Sequence, residues 1–344
     1  MSLSPCPTTI RRWIRTLVPA ACLLALAGTA AAQQFEDTTY VPRVARPAFT
    51  ARHPIVMIDQ AHHNHFSMAS FYRTFAHLLE EDGLRVIPGA QAFSPLLLKV
   101  CDVLVVADAS STVDLLGTTA RDPAFRPSEC DAVRDWVDQG GSLLLIADHA
   151  PFASAMDSLA VRFGVDQGKG YAVDTRRVDP ETGNVGCILF TRAQHMIGEH
   201  AITRGRDKSE RIDRVATFSG QSLLGPPGSE GFLVLSPSSA DIPFTSDSRR
   251  VADREAYRKA DTTSVVKTPG AIPAVGRFQG VAFARGKGRV VVLGEAAIFG
   301  SQFVVGIDAR RMGRDTLRIG INRTDLDNQQ LALNIIHWLT RVLN

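Results

Sequence analysis

The sequence predicts an α/β fold built on a mostly parallel sheet. Three segments share one design, an aliphatic strand running straight into ionisable residues. They are Pro54–Asp59 before Gln60-Ala61-His62-His63-Asn64-His65, Gly141–Ala147 before Asp148-His149, and Gly288–Gly294 before Glu295. Continuous aliphatic runs suit strands buried on both faces, as in parallel sheets. Segments of helical periodicity separate the strands, which is the rhythm of a parallel sheet with crossover helices.

The elements follow in order. After strand 54–59, the spacing of Phe71, Phe75, Leu78 and Leu79 predicts a helix over Ser67–Glu81, stopped by Asp82-Gly83. Leu84–Pro88 is a short strand, Pro95–Lys99 a short helix, and Val103–Ala107 a strand ending in Asp108. Pro127-Ser128-Glu129 opens a helix whose apolar face is Val133, Trp136 and Val137, and Gly140-Gly141 ends it. Strand 142–147 and a helix over Pro151–Phe163, closed by Gly164, complete the regular half.

The middle is less periodic. Residues 166–186 are Gly- and charge-rich, and Val215–Phe218 and Phe232–Leu235 read as strands. The Ser-, Asp-, Arg- and Pro-rich stretch 236–275 reads as a long surface excursion. Then come strand Gly280–Ala284, a turn at Arg285-Gly286-Lys287-Gly288, strand 289–293, a long loop 300–326 and a helix ending the chain. No internal repeat is visible.

Residues 1–32 read as an export signal: Arg11, Arg12 and Arg15, then the apolar Leu17–Ala27, then Ala30-Ala31-Ala32 before Gln33. This predicts an exported protein, periplasmic or secreted, by the general secretory route. Cys22 has no lipobox before it. Residues 33–53 form a linker or edge segment, and 54–344 one α/β domain. The whole chain is formally +3, but its 38 basic residues fall to 35 without the three signal arginines, equal to the 35 acidic ones. No basic patch points to nucleic acid, and no second apolar segment to a membrane span. Of five cysteines only Cys101, Cys130 and Cys187 lie beyond the signal, without metal-ribbon spacing.

Open parallel sheets bind ligands beyond the carboxyl ends of their strands. Asp59, Asp148, His149 and Glu295 fall there, with His62, His63 and Asn64. Asp59, His149 and Glu295 are the candidate catalytic groups; His62, His63, Asn64 and Asp148 are candidate ligand-binding groups. Three imidazoles and a carboxylate within seven residues also permit a divalent metal, with His62 and His149 as ligands. No other cofactor is expected. The alternative is polar turn chemistry, in which Asp and Asn satisfy backbone amides. The HxHxDH pattern of metallo-β-lactamase-like hydrolases fails, because Ser67 stands where an Asp is needed. Asp148 could serve as a helix cap, and Glu295 as an acid, a base or a helix-start carboxylate. No G-x-S-x-G elbow exists, and Cys101 sits at the wrong end of its strand.

Several of these segments together resemble a known group. They are Ile58-Asp59-x-x-His62-x-Asn64, Gly140–Leu145, His200–Gly205 leading to Val215–Gly220, the tail Gly286–Glu295, Asp327-Asn328, and Asn334-Ile335-Ile336-x-Trp338-Leu339. The set resembles the class I glutamine-amidotransferase-like superfold, in the branch of DUF4350 proteins, GldG and intraflagellar-transport-52 type domains, and ThuA-like proteins. The resemblance implies a flavodoxin-like three-layer α/β/α sandwich. It implies no amidotransferase activity, because the nucleophile elbow is replaced by Ala147-Asp148-His149-Ala150-Pro151. Two functions then remain. One is an exported, non-catalytic domain that binds a carbohydrate-like ligand or a protein partner. The other is an exported hydrolase or lyase acting on a sugar derivative, with or without a metal.

Overall fold

The computed structural model describes residues 33–243, 269–305 and 316–344. The expected export signal, most of the 236–275 excursion and the centre of the 300–326 loop lie outside the described residues.

In chain order the first half comprises β1 (Gln33–Glu36), β2 (Ile55–Asp59), α1 (Arg73–Glu81), β3 (Arg85–Gly89), α2 (Pro95–Leu98), β4 (Val103–Ala107), α3 (Pro127–Asp138) and β5 (Ser142–Ile146). Next come α4 (Phe152–Ala155), α5 (Asp157–Ala160), β6 (Asp166–Gln167), β7 (Tyr171–Asp174), β8 (Leu189–Thr191), α6 (Ala201–Arg204), β9 (Arg214–Ala216), β10 (Leu223–Leu224), β11 (Glu230–Val234) and β12 (Ser239–Ile242). The chain closes with β13 (Ile272–Pro273), β14 (Phe278–Arg285), β15 (Gly288–Leu293), β16 (Ser301–Val305), β17 (Thr316–Gly320) and α7 (Asn328–Leu339).

The fold is mixed α/β around a nine-stranded, mostly parallel sheet. Its order is β3-β2-β4-β5-β15-β14-β10-β6, with β11 also beside β14. Only β14 and β6 run against the others. Every residue of β4 and β5 is buried, as their unbroken aliphatic sequence requires. Side chains alternate between the two faces. Val56, Ile58, Val103, Val105, Leu144, Ile146 and Val291 join one core with α1, α6 and α7. Met57, Leu104, Val106, Leu143, Leu145 and Val292 join another with α2, α3 and α5.

Local chemistry sets the joints. Ser94 Oγ accepts from Leu97 N at 3.2 Å to start α2. Glu129, in the first turn of α3, accepts from Arg126 N at 2.9 Å. Gly83 follows α1 at φ +92°, where a Cβ would stand 2.0 Å from Phe49 O. Arg285-Gly286-Lys287-Gly288 makes the predicted turn from β14 to β15.

Three expectations are corrected. The helix expected over 67–81 begins at Arg73, because the hydroxyls of Ser67 and Ser70 tie up a turn before it. The helix expected over 151–163 is broken into α4, α5 and a 3₁₀ turn. The 300–326 stretch is not a plain loop: β16 and β17 pair antiparallel, and β1 joins the other edge of β16. Two smaller sheets, β13-β12-β7 and β8-β9, come from the irregular middle.

Candidate functional site

The carboxyl ends of β2, β4, β5 and β15 carry two linked polar networks. The first is closed. Asp59, fully buried, meets His62 Nδ1 at 2.8 Å, and His62 Nε2 meets Glu129 Oε1 at 2.9 Å. Asn64 Nδ2 donates to Asp59 Oδ2 and to Ala107 O, both at 3.0 Å. Phe93 and Phe125 pack against the His62 ring. Burial pulls the His62 pKa down, but the Asp59 and Glu129 carboxylates outweigh it and raise it overall. Both ring nitrogens are engaged by carboxylates, Nδ1 by Asp59 and Nε2 by Glu129. Among the described residues, no three His, Cys, Asp or Glu side chains are arranged to hold a metal ion.

The second network is acidic. Asp108, Asp148 and Glu295 are buried together at the ends of β4, β5 and β15. Asp108 Oδ1 accepts from Asp148 N at 2.8 Å. Asp148 Oδ1 accepts from His149 N at 2.7 Å, and a further backbone bond comes from Ala296. Glu295 accepts from Ala297 N at 2.7 Å and Ile298 N at 2.9 Å, and a further backbone bond comes from Phe218. Burial pushes Asp108 and Glu295 up to about 8 despite these bonds. Burial, then the Asp108 and Glu295 charges, raise Asp148 well above the carboxylate range. Tyr72, from the turn before α1, donates to Ala296 O at 2.9 Å beside this group. The networks touch where His65 N donates to Asp108 O at 3.0 Å.

His149 stands at the margin of the acids with its side chain 22% exposed. Its Nδ1 lies 2.7 Å from Ala150 O, so that nitrogen carries the proton. Its ring packs 4.1 Å from the half-buried Tyr171 ring. Gln221, fully buried, joins this margin to the 167–171 loop. Its Nε2 donates to Ala147 O at 2.7 Å and Gln167 Oε1 at 2.9 Å, while its Oε1 accepts from Lys169 N at 2.8 Å.

Of the residues named from sequence, Asp59, His62 and Asn64 thus share one network. Asp148 and Glu295 share the other, with His149 beside them. His63 is exposed, at φ +47°, and joins neither. Asp108, Glu129, Tyr72, Tyr171 and Gln221 were not named as site residues. Asp108 did carry a signal, since Val103–Ala107 repeats the design of an aliphatic strand ending in an acid. Gln221 carried none.

No family model matches the chain, and no curated protein sequence does. Among solved structures it is similar to the mmIFT52 N-terminal domain, with a TM-score of 0.53 and 12% identity, covering 83% of this chain and 97% of that one. It is also similar to a ThuA-like protein from Bacteroides uniformis, with a TM-score of 0.39 and 12% identity, over 85% of this chain and 94% of that one. A third is the exo-β-1,4-mannosidase Op5Man5 from Opitutaceae bacterium strain TAV5, with a TM-score of 0.37 and 12% identity, over 85% of this chain and 36% of that one. At such identity, what the chain shares with the mmIFT52 N-terminal domain is a fold.

Proposed function

We propose that this chain is an exported, glutamine-amidotransferase-like domain of the DUF4350, GldG and ThuA-like branch, with a flavodoxin-like three-layer architecture. It lacks amidotransferase activity and binds a small polar, carbohydrate-like ligand at the carboxyl ends of β5 and β15. The observation that carries this reading is the His149–Tyr171 ring pair at the margin of three buried acids. An aromatic face suits the C–H face of a sugar, while the partly exposed His149 imidazole and the neighbouring Asp148 suit its hydroxyls.

Among the described residues no cysteine is poised as a nucleophile, which supports a reading without amidotransferase chemistry. Cys101, Cys130 and Cys187 are all buried. Burial pushes Cys101 up to about 12 and raises Cys130, so neither forms a thiolate readily. Both Glu295 oxygens are engaged by backbone amides, which leaves little freedom to serve as a base. Saturation-transfer NMR against a panel of neutral and acidic mono- and disaccharides tests the proposal. Sugar contact that disappears in Tyr171→Ala and His149→Ala supports it; no contact with any sugar refutes it.

The second reading, a hydrolase or lyase of sugar derivatives, is favoured by one observation. Among the described residues Asp108 Oδ2 is buried without a hydrogen-bond partner, in an acid whose raised pKa suits a proton donor near neutral pH. Consumption of a sugar in the same NMR samples, abolished by Asp108→Asn, would make this reading the better one.

A further inference from the structure

A second imidazole opens to solvent at the same edge of the sheet. His65, in the turn after β2, is exposed. One face of its ring stacks on Phe152, with centroids 5.7 Å apart and planes 29° apart. Phe66 and the half-buried Phe71 flank it at 5.3 Å and 5.5 Å. The backbone of His65 is pinned, its N donating to Asp108 O at 3.0 Å and its O accepting from Ser70 Oγ at 2.9 Å. Among the described residues its ring nitrogens have no hydrogen-bond partner. The phenyl rings thus hold an imidazole in place whose polar edge is unused.

The chemistry of that edge is narrow. Packing against the phenyl rings lowers the His65 pKa, so the ring is neutral near pH 7 and offers one donor and one acceptor. A neutral imidazole has no charge with which to hold a carboxylate or phosphate. It suits hydroxyls, each of which both donates and accepts.

Its position ties it to the His149–Tyr171 pair. The chain runs from β2 outward to β3 and then back past β2 to β4. The boundary between β2 and β4 is therefore the switch point at which open parallel sheets form a ligand crevice. His65 follows β2, and His149 follows β5, on the far side of β4. Two strand spacings, roughly 10 Å, separate the two turns. Asp108 at the end of β4 joins them, accepting from His65 N through its backbone and from Asp148 N through Oδ1 at 2.8 Å. Phe152, beneath His65, opens α4 one turn beyond His149, whose O accepts from Ala153 N at 3.5 Å. One sugar ring seated on Tyr171 and His149 leaves that reach empty; a linked second ring fills it.

Given the sugar-binding reading, on which this rests, we propose that the ligand is a disaccharide or a longer chain. Its second ring lies against His65 and Phe71 over the ends of β2 and β4. Isothermal titration and NMR on the full protein compare glucose with cellobiose and maltose, N-acetylglucosamine with chitobiose, and galacturonate with digalacturonate. At least one disaccharide should bind about tenfold more tightly than its own monosaccharide. It should also shift the His65 ring protons, which the monosaccharide leaves in place. His65→Ala should remove the preference without lowering the thermal midpoint, because the position is exposed. Equal affinity within every pair overturns the proposal and leaves the sugar-binding reading standing. A preference that survives His65→Ala does the same, and so does tight disaccharide binding that leaves the His65 protons unmoved in the wild-type protein. No binding of any sugar overturns both.

Discussion

Asp108 concentrates the electrostatics of the strand ends. It adopts φ +43°, a left-handed conformation that Asp and Asn tolerate better than most residues. Burial raises its pKa from 3.8 to about 8, and that of Glu295 from 4.5 to about 8. The native state therefore binds more protons than the unfolded chain between those values, and stability falls as pH rises through them. His62 acts in the same sense, since its stabilisation is present below its unfolded pKa and is lost as pH rises through the higher folded value. The unfolding midpoint followed by circular dichroism should accordingly drop between about pH 4 and pH 8. Asp108→Asn keeps the shape and the left-handed backbone but cannot ionise, so it should flatten that drop; an unchanged slope would contradict the assignment. His62→Ala leaves Asp59 and Glu129 buried without their shared partner. It should cost about 3–5 kcal/mol in urea unfolding, while chelation by EDTA leaves the wild-type midpoint where it was.

Elements were legible where their pattern was local. The strands 55–59, 103–107, 142–146 and 288–293 are aliphatic runs, and α3 and α7 show their apolar faces in sequence. The β16–β17 hairpin was hidden because its inward positions mix the polar Gln302 with Val304, and because β1, its other partner, comes from the far end of the chain. The start of α1 was misread because hydroxyl bonds at Ser67 and Ser70 do not interrupt apolar periodicity. The candidate site was legible to the extent that strand ends predict position. The pairing of His62 with Glu129 was not, since it spans 67 residues and depends on how α3 meets β2. Turn chemistry was legible at Gly83, where both the φ of +92° and the 2.0 Å approach to Phe49 O exclude a side chain. Gly83→Ala should lower stability by more than about 1 kcal/mol, measurable as a shift in urea midpoint at constant slope.

At the scale of the molecule, α7 fastens distant parts to one another. His337 Nε2 lies 2.7 Å from Asp82 at the end of α1. Asn334 donates to Ile202 O and Glu210 O, both at 2.8 Å, and Ser142 Oγ donates to Leu339 O at 2.7 Å. Asp82→Ala should cost about 1–3 kcal/mol, because a buried partner is left unpaired. Thermal unfolding of that variant should stay a single transition, since α1, β5 and α7 share one core.

The strand order also bears on the sequence of events during synthesis. β5 pairs with β4 on one side and with β15 on the other. The first partner precedes β5 in the chain, but the second is made only after the whole irregular middle has been produced. Until then a strand meant for burial on both faces offers a row of unsatisfied amides and carbonyls, the kind of border on which foreign strands grow. A fragment ending at residue 275 would keep that border open for good. It should bind the dye ANS and aggregate where the full chain does not, and a monomeric, dye-silent fragment would show that something else covers β5 while the chain waits for β15.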